Sequence, residues 1–345
     1  MKRRRRDETH DEVCEVLQFD LFDKPEVIRP RPRMPVPANS GRNPFLCDGP
    51  TLINFSGGKS SALMVRRAID AHDGRLPADA HVVFCNTGKE RPETLDFVRD
   101  CAVFWGVNIV WLERDGSAPE SARFREVEYE TASRRGEPFR ELIEEKRCLP
   151  DRTKRFCTIE LKIWVARDYM RSLGYEHWTS MVGLRRDEAK RVYDHRARVE
   201  DEWDSAYPLF EASIRKPDVD TYFESSPFTL HLQSWEGNCD QCFLKGRRKR
   251  ERIMRDHPAS TDWWIEQEDF IGARFHAHEP GYAATLDRVR RLPVFQAIDP
   301  TEDDDSIPCN CTERRAPRRC TCGKRRGQGH ALHCRMIFGD ERRAA

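Results

Sequence analysis

The first hydrophobic pattern in the chain is a short apolar run, Thr51-Leu52-Ile53-Asn54-Phe55, that stops at Ser56-Gly57-Gly58. Behind it the period changes, and Leu63, Val65, Ala68 and Ile69 share one broad helical face. The alternation then repeats. His81-Val82-Val83-Phe84-Cys85 reads as a strand that ends at Asn86-Thr87-Gly88. Pro92 opens a second helix on which Leu95, Val98, Ala102 and Trp105 recur at helical spacing, and Val107-Asn108-Ile109-Val110-Trp111-Leu112 reads as a third strand. Strand–helix–strand–helix–strand in so short a stretch predicts right-handed βαβ units and a mostly parallel sheet, hence an α/β fold. Further on, helical periodicity returns over 158–173, and 178–184 reads as another strand. Residues 236–290 read as mainly helical, with Trp263, Trp264 and Phe270 available for packing.

The ends of the chain break this pattern. Residues 1–49 repeat Pro and Arg (Arg29-Pro30-Arg31-Pro32-Arg33) without periodicity and read as a flexible or loosely docked basic arm. From Glu302 onward charge, Cys, Gly and Arg replace any core-forming pattern. The expected organisation is therefore an arm at 1–49, a nucleotide-binding α/β domain at 50–235, a helical Cys-bearing region at 236–300 and a Cys- and Arg-rich tail at 301–345.

Charge changes the picture only locally. Formal net charge is +1 over 345 residues, but basic residues concentrate at 2–6, 245–255 and 314–343. Such blocks suit phosphate, sulfate or nucleic acid, or simply form a solvated surface. The N-terminal basic residues have no apolar stretch behind them, so they make no secretory signal. Nothing approaches the roughly 18 apolar residues of a membrane span. These features predict a cytoplasmic protein in a reducing compartment, where 13 cysteines favour metal ligation or redox chemistry over disulfides. Cys85 and Cys101 read as ordinary buried thiols.

The loop Ser56-Gly57-Gly58-Lys59-Ser60-Ser61 follows the first strand, where ligands of open parallel sheets bind. Its glycines let backbone N–H groups approach an anion, Lys59 adds charge, and the serines add hydroxyl donors. A plain turn with a serine cap is the bland alternative. A Walker loop is excluded, because its first glycine would fall on Ile53.

These residues resemble the PP-loop of the adenine nucleotide α-hydrolase superfamily. Asn86-Thr87-Gly88-Lys89-Glu90-Arg91-Pro92-Glu93-Thr94 is similar to the Asp-Thr-Gly…Pro-Glu-Thr segment of phosphoadenosine phosphosulfate (PAPS) reductases, and Gly183-Leu184-Arg185-Arg186-Asp187-Glu188 resembles that family's Gly-Leu-Arg segment near the anion. The resemblance implies a Rossmann-like adenine nucleotide α-hydrolase fold over about 50–250 and a nucleotide site at Ser56, Gly57, Gly58, Lys59, Ser60, Ser61, Thr87, Gly88, Arg185 and Arg186. Two departures bear on activity. ATP-splitting members usually carry an acid, which helps hold magnesium, where this loop has Ser60. The Glu-Cys-Gly-[Leu/Ile]-His motif that carries the nucleophile in assimilatory reductases has no counterpart, so the catalytic residue stays unassigned.

Cys239-Asp240-Gln241-Cys242 is a CxxC that by itself suits zinc, redox or iron–sulfur chemistry. Cluster-bearing reductases of the same family use a Cys-Cys pair followed about eighty residues later by a CxxC, and Cys157 precedes Cys239 by 82 positions. Position 156 is Phe, so Cys148 is the substitute fourth ligand. The resemblance thus implies a [4Fe–4S] cluster on Cys148, Cys157, Cys239 and Cys242, with zinc on the same thiols as the alternative. Lys154, Arg155 and Lys162 would offset its charge. Cys309, Cys311, Cys320, Cys322 and Cys334, with His330 and His333, suit a second metal knuckle, a mobile thiol arm or incidental thiols.

Three functions follow. The first is a PAPS-reductase-like oxidoreductase that takes an adenylyl sulfonucleotide and a thiol electron donor. The second is a sulfur transferase acting on nucleic acid, supported by the seven basic residues of 245–255. The third is a nucleotide-binding module without turnover.

Overall fold

The computed structural model describes residues 41–196, 202–293 and 296–301. Six strands form one sheet in the order β4-β3-β2-β1-β5-β6. β1 (Thr51–Asn54), β2 (Ala80–Cys85), β3 (Ile109–Arg114), β5 (Trp178–Val182) and β6 (Trp203–Ala206) are parallel, and β4 (Phe124–Val127) runs antiparallel along β3. The chain steps outward from β1 to β4, then returns to place β5 on the other side of β1, with Ile53 paired to both Val82 and Met181. The winding direction reverses between β1 and β5, and that crevice is where doubly wound sheets bind ligands.

The intervening helices are α1 (Lys59–Ala71), α2 (Pro92–Trp105), α3 (Glu137–Lys146), α4 (Phe156–Thr158), α5 (Trp164–Ser172), α6 (Ala189–Arg196), α7 (Pro208–Glu211) and α8 (Lys216–Glu224). A π turn, Ile159–Ile163, joins α4 to α5. Alternate strand residues enter two cores. Ile53, Phe55, Val82 and Phe84 pack with Leu63 and Leu95 of α1 and α2 on one face. Leu52, Val83 and Leu112 pack with Val165, Tyr169 and Met170 of α5 on the other. Burial on both faces is why these strands read as unbroken apolar runs.

A third core is helical. It joins Phe139, Leu142 and Ile143 of α3 to α9 (Arg247–Asp256), α10 (Asp262–Ile271) and α11 (Tyr282–Arg291). Trp264 is its centre, fully buried and stacked on Tyr282 at 5.6 Å. Trp263 is buried beside it, but Phe270, expected in this packing, is 49% exposed. Residues 41–49, assigned from sequence to the arm, contribute Phe45 and Cys47 to the main core. The remaining arm and the tail cysteines and histidines lie outside the described residues. Among the described residues no helix is long and apolar enough to cross a membrane.

Candidate functional site

The first wall of the site is the turn from β1 into α1. Ser61 Oγ caps it by donating to Gly58 O (2.9 Å), accepting from Ser56 N (3.1 Å) and pairing with Ser56 Oγ (2.9 Å). Gly57 sits at φ 77°, and a Cβ there would lie 2.6 Å from Thr94 Cγ2 and 3.1 Å from Phe84 Cε2. The loop is thus sealed underneath by α2 and β2. Gly57→Ala should lower stability by about 2–4 kcal/mol, from the left-handed backbone plus overpacking. Urea denaturation checks it, and a loss below about 0.5 kcal/mol, the usual scale of a neutral surface change, would mean that the turn rearranges freely.

The second wall comes from β5. Gly183 must pass Ser61 closely, since a Cβ on it would meet the Ser61 Cα at 2.9 Å. Arg185 follows and donates from Nη1 to Ser60 Oγ (2.8 Å). Asp187 grips the same guanidinium through Nε (3.1 Å) and Nη2 (2.9 Å). Ser60 and Arg185, 125 residues apart, are brought together. Arg186 is directed elsewhere, its guanidinium lying 4.4 Å from the centre of the Phe210 ring. Lys59 points from the start of α1 toward Phe223 of α8, 6.0 Å from the ring centre. Beside it opens a cavity of about 330 Å³ lined by Lys59, Phe223, Phe228 and His231 among others.

The third wall is the segment after β2. Thr87 donates through N and Oγ1 to Glu90 Oε2, both at 2.8 Å, and Lys162 Nζ faces Glu90 Oε1 at 3.3 Å. Gly88 accepts a backbone bond from Gly136 (2.8 Å). Beneath this loop Asn86 donates to the buried Glu113 (2.6 Å).

The CxxC segment is sewn onto this third wall. Asp240 N donates to Lys89 O (2.9 Å), Arg91 N donates to Asn238 O (2.6 Å), and Glu90 bridges to Cys239 in antiparallel fashion. Lys89 Nζ meets Asp240 Oδ2 at 2.8 Å while Trp264 Nε1 donates to Asp240 Oδ1 (2.8 Å), so both carboxylate oxygens of Asp240, the first of the two residues between the cysteines, are engaged. Asn238 Nδ2 donates to Ser56 O. One segment therefore touches both the loop 56–61 and the cysteine region. Sequence reasoning missed Lys89, Glu90, Asn238 and Asp240 as parts of the site. Lys89, Glu90 and Asp240 lie inside the sequence motifs and Asn238 directly before the CxxC, but nothing local said that they pair with one another.

Cys157, Cys239 and Cys242 pack against the helical core, and Cys148 directly precedes Leu149 of that core. The Cys239 thiol is raised well above its ordinary value by its hydrogen bond with Cys242 and by burial. Among the described residues no three His, Cys, Asp or Glu side chains are gathered in a metal-holding group. Cys148, Cys157, Cys239 and Cys242 are each partly buried thiols, the donor type that a soft metal group takes, but the structure does not gather them into one group. Cys85 donates to Lys162 O (3.5 Å) and burial pushes its thiol up to about 12, while burial also raises the Cys101 thiol. Neither is a competent nucleophile at neutral pH.

The basic segment 245–255 does not join the loop. In α9, Arg247 pairs with Glu251 (2.7 Å), Arg252 with Asp256 (2.8 Å) and Arg250 with Glu279. Lys245 Nζ donates to Cys239 O (2.6 Å), which places one of these cations on the CxxC backbone.

Residues 50–226 match the family described as the phosphoadenosine phosphosulfate reductase domain. The chain is 27% identical over 211 residues to an uncharacterized nin region protein of Escherichia phage lambda, a stretch covering 59% of this chain and 69% of that one. An uncharacterized protein of Methanocaldococcus jannaschii is 26% identical over 223 residues, 62% of this chain and 40% of its own length. The chain thus spans less than half of this second relative. Cys239 and Cys242 lie beyond the family match.

Proposed function

Since the chain belongs to the phosphoadenosine phosphosulfate reductase domain family, we propose that it binds an adenylyl sulfonucleotide at the loop 56–61 and reduces its sulfur with a thiol. The observation that carries this reading is the crevice between β1 and β5, where a glycine loop without a carboxylate faces the Arg185 guanidinium. Backbone N–H groups, serine hydroxyls and cations are the donors that phosphate and sulfate oxygens require. The cavity beside Lys59 leaves room for more than an anion.

In the proposed reaction a thiolate attacks the sulfur, and the bond from sulfur to the phosphate oxygen breaks. The nucleotide leaves with that electron pair, and the sulfur stays on the thiol as an S-sulfo group. A second thiol then attacks the first sulfur, releasing sulfite and closing a disulfide, so the two thiols supply both electrons. Lys59 and Arg185 would hold the negative charge that develops on the leaving phosphate.

Cys148, Cys157, Cys239 and Cys242 would hold the thiolate-ligated group, a [4Fe–4S] cluster or zinc. When bound, a cluster would supply a fixed charge that tunes the field at the sulfur. The chain's own contribution is the Lys89–Asp240 pair, which keeps the CxxC against the segment after β2, and the Asn238–Ser56 bond, which keeps it against the loop 56–61. The alternative transfer of sulfur to nucleic acid draws less support, because Arg247, Arg248, Arg250 and Arg252 of α9 pair with carboxylates.

The test supplies PAPS or adenylylsulfate with a reducing thiol partner and measures sulfite, on the full chain and on a chain truncated before Cys309. Sulfite from the full chain alone assigns the thiol to the tail, and sulfite from both assigns it to the body. No sulfite from either, with magnesium-dependent AMP formation when tRNA or DNA is present, would replace this reading with the sulfur-transferase one.

A further inference from the structure

A second, smaller cavity of about 80 Å³ lies beyond the end of β3, and Arg114, Arg123 and Arg167 supply the cations of its lining. None of its lining residues belongs to the three walls around loop 56–61. Three pieces of chain build it. Arg114 is the last residue of β3, and its side chain is only 2% exposed. The loop behind it folds back, with Asp115 N donating to Arg123 O (3.3 Å), so Arg123 returns to the strand end. The turn 120–122 within that loop packs on α5. Arg167 comes from α5 itself, its guanidinium 5.5 Å from the centre of the Trp164 ring. Arg114 Nη2 donates to Glu145 Oε2 of α3, and Arg123 Nη1 donates to the other oxygen of the same carboxylate (3.4 Å). Arg114 Nη1 and Arg123 Nε, by contrast, are buried without an acceptor among the described residues. Gly116 leaves Nη1 its space, since a Cβ there would lie 2.8 Å from it.

Buried guanidinium donors without an acceptor are costly, and an acceptor that reached both would recover that cost. The charge balance favours an anion over water. Of the acids in the lining, Glu160 has Lys146 (2.9 Å), and Asp168 has Arg167 (2.7 Å) and Arg171 (3.8 Å). Glu145 alone answers both Arg114 and Arg123, which leaves a surplus of one positive charge at that end. Glu120, the remaining acid, is exposed and forms no ion pair among the described residues, so water screens its repulsion. Size narrows the ligand further. At about 10–15 Å³ for each water, the cavity has room for several waters, hence for a tetrahedral oxyanion but not for a nucleotide. We propose that this cavity binds a sulfate or phosphate ion, held by Arg114 and Arg123 with Arg167 at its side. Guanidinium forks match the oxygens of such ions. The inference does not depend on the nucleotide reading above.

Calorimetric titration of the full chain with sulfate and with phosphate, at constant ionic strength in chloride, tests it alongside crystals grown in selenate, whose anomalous signal locates the ion. At least one of the two ions should bind saturably, the tighter one identifying the physiological class, and selenate should appear between Arg114 and Arg123. Because loop 56–61 is expected to bind such an ion as well, variants separate the two sites. Arg123→Gln should weaken binding at this cavity about tenfold or more, the scale of one charged hydrogen bond, and Lys59→Ala should leave it unchanged. Glu120→Gln should tighten it severalfold, which loss of a merely structural residue would not do. Arg114→Gln should remove it, and if that variant fails to fold, Arg123→Gln carries the test, since its side chain is 32% exposed. Selenate found only at loop 56–61 would overturn the inference and leave the nucleotide site standing. Sulfate and phosphate affinities unchanged by both Arg123→Gln and Glu120→Gln would overturn it too.

Discussion

Replacing Glu113 with alanine is expected to lower the free energy of unfolding by about 3–5 kcal/mol, from several buried donors left without an acceptor at about 1–3 kcal/mol each. The Glu113 side chain is 1% exposed at the end of β3. It accepts from Asn86 Nδ2 (2.6 Å), Ser133 N (2.6 Å), Ser133 Oγ (2.8 Å) and Arg125 Nη2 (2.9 Å). Arg125 is 40% exposed and recovers water when the carboxylate is lost, so the amide donors of Asn86 and Ser133 carry most of the cost. Because Asn86 Oδ1 accepts from Gly88 N (3.0 Å), the same carboxylate also shapes the loop that carries Thr87 and Gly88. Glu113→Gln keeps the volume but turns an NH₂ toward these donors, and it should cost about half as much. Urea denaturation with an unchanged m-value reads both. A loss under about 1 kcal/mol for the alanine variant, the net worth of one ordinary hydrogen bond, would mean that the network re-forms around water.

Cys239→Ser is expected to abolish metal binding at the proposed four-cysteine centre. A cubane cluster and a structural zinc both use four ligands, and a serine hydroxyl does not ionise to replace a thiolate. Anaerobically purified wild type should carry either iron with acid-labile sulfide and a visible absorption, or zinc without colour. Cys239→Ser should carry neither, while Cys101→Ala should keep the full content because Cys101 lies in the main core, away from the CxxC. Undiminished metal in Cys239→Ser would move the centre to other residues. The loss should also loosen the third wall of the proposed nucleotide site, because Glu90 bridges to Cys239.

Local spacing carried the inner strands. Leu52, Ile53 and Phe55, and Val82, Val83 and Phe84, are buried on both faces, so their apolar runs were visible without knowing their neighbours. The edge strands were not visible. Phe124-Arg125-Glu126-Val127 and Trp203-Asp204-Ser205-Ala206 are half-exposed and polar, and pairing to β3 and β5 is what makes them strands. Phe45 and Cys47 sit in a Pro-rich, aperiodic stretch and look like arm, yet the core takes them in. Phe270 is apolar and lies outside, because α10 buries the face that carries Trp263, Trp264, Gln267 and Glu268.

The motifs at 56–61, 87–88 and 183–186 were legible because glycines and cations at strand ends follow from strand order along the chain. By itself the sequence determined which strand ends carry the glycines and cations that suit an anion. Only the tertiary structure decided which of them share a wall. It set β5 beside β1, so Arg185 reaches Ser60 while Arg186 turns onto Phe210. It also folded Asn238 back onto Ser56 and Asp240 onto Lys89, joining the CxxC to the loop across more than 150 residues. Periodicity reports the face a residue presents, but contacts between distant segments depend on how the sheet winds and which polar groups must be satisfied once buried.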